Sequence, residues 1–250
     1  MAVLDLPAWL VGPDVNQDLI FAWGAQFTSS RAALYFPWIR VAQFDAPGQP
    51  RWIPPSGHVA GTYARVERLT GVHKPPANER LEDVEDITRR IDRDLHALFT
   101  DNQINPILSD AGRGMRVMGS RTLNHELLHR HVNVERLLIY LERWLDRSMQ
   151  WTVFRDNDFR LRRDVTSAVS SFLEELWKKG MLDSGSANDA YAVTCDETNN
   201  PEEQVAIGQF VCRIDVRLPP PVEFIAVTLG KAAEGIQILE VIGGARDENG

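Results

Sequence analysis

Two long amphipathic stretches, 132–149 and 159–179, constrain the fold of this chain more than any other feature. In the first, Val134, Leu137, Leu138, Leu141, Trp144 and Leu145 recur at spacings of three and four. In the second, Leu161, Val165, Ala168, Val169, Phe172, Leu173, Leu176 and Trp177 do the same, and Gly180 supplies a stop. That period gathers the apolar side chains onto one helical stripe, which must be buried against another element. Shorter helices are expected within 14–29, with Asp14 as N-cap, from Gly57 to Gly71, and around Ile91, Leu95, Leu98 and Phe99. In the second of these, Gly57, Ala60, Gly61 and Ala64 form a stripe of small residues that would admit a closely packed neighbour. Strands are expected at 2–6, 32–42, 104–108, 115–123, 190–195, 209–218, 224–229 and 236–242, with Pro37 at an edge or a bulge. The order is mixed, and the later strands are close enough in sequence to pair antiparallel. The expected fold is α+β: a mixed, largely antiparallel sheet packed with long helices, plus an extended C-terminal arm.

A chain of 250 residues, 44% hydrophobic and 25% charged, can bury a sizeable core. Its net charge of −8 argues against a nucleic-acid binder, which needs a basic face. The short run Arg160-Leu161-Arg162-Arg163 reads as a solvated face. No stretch of about 18 apolar residues is present to span a membrane. The first residues lack the basic and long apolar regions of a leader and read as a strand closed by Pro7. Cys195 and Cys212 show no metal spacing. Each falls in an apolar run, as buried free thiols in a reducing compartment would.

One motif points to chemistry. His125-Glu126-Leu127-Leu128-His129 spells HExxH, which on a helix presents two histidines to zinc and a glutamate to the metal-bound water. Against a zinc-dependent hydrolase stands the context, a loop or a frayed helix start after Asn124. The longer zinc-protease pattern needs glycine and histidine where this chain has Val132 and Glu135. Glu142 and Asp146, the nearest later acids, continue one helix with no turn before them. Asp156 and Asp158 read as caps of the helix that follows. Trp144, Trp151 and Trp177 read as core. There is no phosphate-binding loop and no nucleophile elbow.

Three segments stand out in order: Leu34-Tyr35-Phe36-Pro37-Trp38-Ile39-Arg40-Val41, Pro54-Pro55-Ser56-Gly57-His58-Val59-Ala60-Gly61 and Gly71-Val72-His73-Lys74-Pro75-Pro76. Ile104-Asn105-Pro106-Ile107, Gly119-Ser120-Arg121-Thr122-Leu123, Val132-Asn133-Val134-Glu135-Arg136-Leu137, Cys195-Asp196 and Pro221-Val222-Glu223-Phe224-Ile225 follow. With the segments that come after them, the first three resemble the contractile tail-sheath family of phages and related injection systems. His131 and Asp156 depart from the pattern.

The resemblance implies a structural, non-enzymatic subunit without a cofactor, catalytic residue or metal site. Its partners would be copies of itself in stacked hexameric rings, an inner tail-tube protein, and baseplate and tail-terminator proteins, with no nucleic acid and no direct membrane contact. Its place would be the virion tail or an injection-system particle, assembled in the bacterial cytoplasm. The chain would correspond to the C-terminal part of a longer sheath protein, with residues 1–229 as core domain and 230–250 as C-terminal arm. Without the family's N-terminal arm it would assemble poorly by itself. Ile236, Gln237, Ile238, Leu239, Glu240, Val241 and Ile242 would form a strand added to a neighbouring subunit, or else one folded back on its own sheet. The charged segment 79–101 and the polar side of 132–149 are candidates for the tube-facing surface.

Overall fold

The computed structural model describes residues 1–43, 49–183, 185–218, 225–232 and 235–243, with side-chain placement up to residue 218. The fold is α+β, and the chain forms two compact units, Met1–Arg136 and Leu137–Gly250. Residues 221–224 of the resemblance, and residues 233–234 and 244–250 of the expected C-terminal arm, lie outside the described residues.

In the first unit the elements are β1 (Ala2–Asp5), α1 (Gln17–Gly24), β2 (Ala32–Phe36), β3 (Ile39–Val41), β4 (Arg51–Ile53) and α2 (Ser56–Leu69). After them come β5 (Glu79–Arg80), β6 (Asp86–Ile87), α3 (Arg93–Asp101), β7 (Ile104–Asp110) and β8 (Gly114–Val117). A mixed sheet has the order β1-β2-β7-β8-β5, with β1, β2 and β7 parallel and β7, β8 and β5 antiparallel. Antiparallel β4-β3-β6 make a second, smaller sheet.

Strand β2 is buried at all five positions, as a central strand covered on both faces must be. Ala33 and Tyr35 point into a cluster with Val59 and Tyr63 of α2, Ile107 and Val117. Ala32, Leu34 and Phe36 point into the other cluster, with Ile20 of α1, Phe99 of α3 and Ile104. Period-two alternation thus divides one apolar run between two cores. The run 32–42, expected as one strand, is two. The cis Phe36–Pro37 peptide stands between β2 and β3, which belong to different sheets. Proline cannot donate to a ladder, so it sits at the corner rather than within a strand. The expected strand at 115–123 ends at Val117, and helix α1 is capped by Asn16, whose side chain accepts from the Asp18 N–H at 2.9 Å, not by Asp14.

Helix α4 (Val132–Ser148) starts in the first unit and continues in the second. There follow α5 (Phe159–Lys178), α6 (Ala187–Ala190), β9 (Tyr191–Thr194), α7 (Glu202–Ala206), β10 (Val211–Val216), β11 (Ile225–Ala232) and β12 (Gly235–Gly243). Asp158 caps α5, accepting from the Leu161 N–H at 2.8 Å. The two helical stripes meet: Leu138, Leu141 and Leu145 of α4 close on Val169, Phe172 and Leu173 of α5 and Ile214 of β10, leaving a void of about 10 Å³. Trp144 stacks on Phe172 with ring centroids 3.7 Å apart, whereas Trp151 is exposed rather than core. The sheet β12-β11-β10-β9 is antiparallel throughout.

Candidate assembly interface

The histidine motif folds as a turn. Residues 124–131 belong to no helix, and His129 donates its backbone N–H to the Glu126 carbonyl at 3.0 Å. The imidazole Nδ1 of His129 lies 2.6 Å from Oε1 of Glu135, a buried carboxylate in the first turn of α4. Thr122 fixes the turn from the other side, its hydroxyl donating to the His129 carbonyl at 2.6 Å. His125 and Glu126 are exposed, and the His125 ring lies 3.5 Å from the Gln103 amide. The two histidines therefore lack the shared helical face that a zinc hydrolase needs. Among the described residues no three His, Cys, Asp or Glu side chains are grouped to hold a metal ion.

His131 completes the turn. Its Nε2 stands 3.2 Å from Arg121 Nη1 and 3.3 Å from Arg130 Nε. Burial first, then the two guanidinium charges, push its pKa down to about 4, so near neutral pH it is an uncharged acceptor between two cations. Arg121, His131, Arg93 and His96 line an open groove of about 550 Å³ whose floor is Met118-Gly119-Ser120.

Under that floor lies a contact that sequence patterning missed. Asn105, fully buried on β7, donates through Nδ2 to the Leu34 carbonyl at 3.0 Å and the Arg121 carbonyl at 2.8 Å. Its Oδ1 accepts from the Arg121 N–H at 2.6 Å. Gly119 passes so close that a Cβ there would stand 2.6 to 2.9 Å from Asn105 atoms. One amide thus ties β2 and β7 to the segment that leads into α4. A second buried group joins β2 to α2. The Tyr35 and Tyr63 hydroxyls are 2.6 Å apart, and Arg136 lies over the Tyr63 ring at 4.7 Å while pairing with Glu67 at 2.6 Å. Burial pushes the Tyr63 phenol up to about 12 and raises the Tyr35 phenol well above its ordinary value, so both remain neutral.

The candidate surface residues distribute differently. The small stripe Gly57, Ala60, Gly61 and Ala64 of α2 faces outward, and a Cβ at Gly57 or Gly61 would meet nothing within 4 Å. The close neighbour expected for it is not an element of the described chain. In the charged 79–101 segment, Glu79 pairs with Lys74 and Arg65, Glu82 with Arg65, and Asp86 with Arg90. Residues 236–242 lie in β12, at one edge of its sheet, paired with β11 from Ile236↔Lys231 to Ile242↔Ala226 around an irregularity at Thr228/Leu229. In the single chain this strand thus takes the second of the two pairings open to it.

The chain belongs to the contractile tail-sheath family. Residues 12–123 match the phage tail sheath protein central domain and residues 128–230 the phage tail sheath C-terminal domain, and the interval between them opens the histidine turn. It is 27% identical over 200 residues to the tail sheath protein of Vibrio phage KVP40, covering 77% of this chain and 28% of that protein. With the tail sheath protein of Salmonella phage ViI it shares 29% identity over 168 residues, 66% of this chain and 26% of that one. Its fold is similar to the PVC sheath complex of an extracellular contractile injection system in the contracted state. The TM-score is 0.78 at 30% identity, over 88% of this chain and 60% of that chain. The chain therefore spans only about a quarter of the length of these phage proteins.

Proposed function

We propose that this chain is the assembling part of a contractile sheath subunit, which polymerises in helically stacked hexameric rings around an inner tube and shortens to drive the tube through a target envelope. The likeness over 88% of the chain to a sheath complex in the contracted state carries the reading. Its partners are copies of itself, the tube protein, and the baseplate and terminator proteins at the tail's ends. The particle is assembled in the bacterial cytoplasm, and its work is mechanical rather than catalytic.

Strand exchange through residues 236–242 links the subunits. Pairing with β11 of the same chain or of a neighbour makes the same backbone hydrogen bonds, so exchange changes the ladder energy little while it tethers the two subunits. The chain on either side can then rotate without breaking the link. Contraction needs no nucleotide if each subunit has two packing arrangements and the shorter one is slightly favoured, because the difference sums over the polymer.

The test is electron microscopy of the full-length protein produced together with its tube partner. Tubes in long and short forms are expected. Monomers without rings or tubes, or stoichiometric zinc that is lost in His129→Ala, would overturn the reading.

A further inference from the structure

The two cysteines of the chain come together in the second unit. Thr194, the last residue of β9, pairs with Arg213 of β10. One step further along this antiparallel ladder, Cys195 comes opposite Cys212. Both are buried free thiols, within side-chain hydrogen-bonding reach of each other. The backbone around each is held. Asn200 continues the ladder beyond β9: its Oδ1 accepts from the Val211 N–H at 2.8 Å, and its Nδ2 donates to the Val211 carbonyl at 2.8 Å and the Asp196 carbonyl at 3.1 Å. Asn199 accepts from the Asp196 N–H at 3.0 Å and donates to the Thr194 carbonyl at 2.6 Å. Facing residues across an antiparallel pair have Cβ atoms about 4.5–5.5 Å apart. A disulfide needs about 3.5–4.5 Å, so an approach of roughly 1 Å closes the bond.

We propose that Cys195 and Cys212 form a thiol pair that closes to an intramolecular disulfide on contact with a low-molecular-weight disulfide such as oxidised glutathione. The two thiols are unequal. Cys195 is 8% exposed and Cys212 1%, so reagent reaches Cys195 first. The hydrogen bond with Cys212, helped by the Arg162 guanidinium, holds the Cys195 thiol below its usual range, while that hydrogen bond and burial push Cys212 up. Cys195 is thus the attacking thiol, since the thiolate is the nucleophile.

Deprotonated Cys195 Sγ attacks one sulfur of the reagent. The reagent's S–S bond breaks, one glutathione leaves and takes up a proton, and a mixed disulfide remains. Cys212 Sγ then attacks Cys195 Sγ and expels the second glutathione, which takes the Cys212 proton. Two protein thiols lose two electrons and two protons, and one reagent disulfide becomes two thiols. For a particle assembled in the bacterial cytoplasm, as proposed above, the thiols stay reduced there, and the bond forms once the particle meets oxidising surroundings.

The experiment exposes the folded chain to oxidised glutathione, quenches with acid, counts thiols under denaturing conditions and maps the digested peptides by mass spectrometry. The expected result is loss of both thiols, a linked peptide joining Cys195 to Cys212, and no retained glutathione. Cys212→Ser should keep one glutathione on Cys195, and Cys195→Ser should leave Cys212 free. Two free thiols after exposure, or glutathione retained on both cysteines without a linked peptide, would overturn the proposal. The map of the unmutated chain decides even if a serine variant fails to fold, and either outcome leaves the sheath reading intact.

Discussion

Asn105 and Gly119 show how much of the first unit depends on single atoms. Gly119→Ala would place a methyl group against the Asn105 backbone and side chain. Neither can give way without losing hydrogen bonds to Leu34 and Arg121. The expected loss is about 2–4 kcal/mol in urea unfolding. Gly61→Ala is the opposite case: the position is open and lies within α2, so a gain of roughly 0.5–1 kcal/mol is expected from the same measurement. His131 makes a pH prediction. Its folded pKa, about 4, lies below the unfolded value of 6.5, so the unfolded chain binds more protons between those values. Stability should therefore fall as pH drops from about 6.5 through 4. After discounting for partial exposure, the difference from His131→Gln should be on the order of 1 kcal/mol over that window. Unfolding midpoints of both proteins from pH 7 to pH 4 check it, and parallel profiles would contradict it. The contacts that Asn105, Gly119 and His131 make were not legible in the sequence. Asn105 sits in an apolar strand, Gly119 has no turn signature, and His131 becomes an acceptor only through Arg121 and Arg130, one of which is ten residues away.

Among the elements, the long helices were legible because each has a stripe that only burial explains, and α4 and α5 begin and end within a residue or so of the expected limits. Asp158 was readable as a cap, and Asp158→Ala should cost about 1 kcal/mol and fray the first turn of α5, visible as faster amide exchange there. The division of 32–42 at Pro37 was not legible. Its apolar run continues across the break, and Pro37, read as an edge or a bulge, gave no sign that β2 and β3 take partners in different sheets. Strands β5 and β6, two residues each, exist through their partners and carry no pattern of their own. The histidine motif shows the converse: a strong local spelling lost its meaning because Thr122 and Glu135 hold it as a turn. For β12, sequence gave β propensity but not the partner strand. Ile238→Pro removes an N–H from a strand that pairs at Leu229. In the full-length protein it should abolish tubes on electron-microscope grids while leaving the helical circular dichroism within about a tenth of the original, since α4 and α5 pack on each other and on Ile214 of β10.

For the whole molecule, the chain forms two compact units, and residues 12–123 and 128–230 match the central and C-terminal domains of the sheath family in order. Fold class and family were readable because they rest on patterns spread along the chain. The central claim is that subunits are tied to one another by exchanged strands. A cryo-EM reconstruction of the full-length sheath around its tube tests it most directly. The account predicts residues 236–242 of each subunit hydrogen-bonded in the sheet of a neighbour; density that keeps this strand on β11 of its own chain in every ring would contradict it.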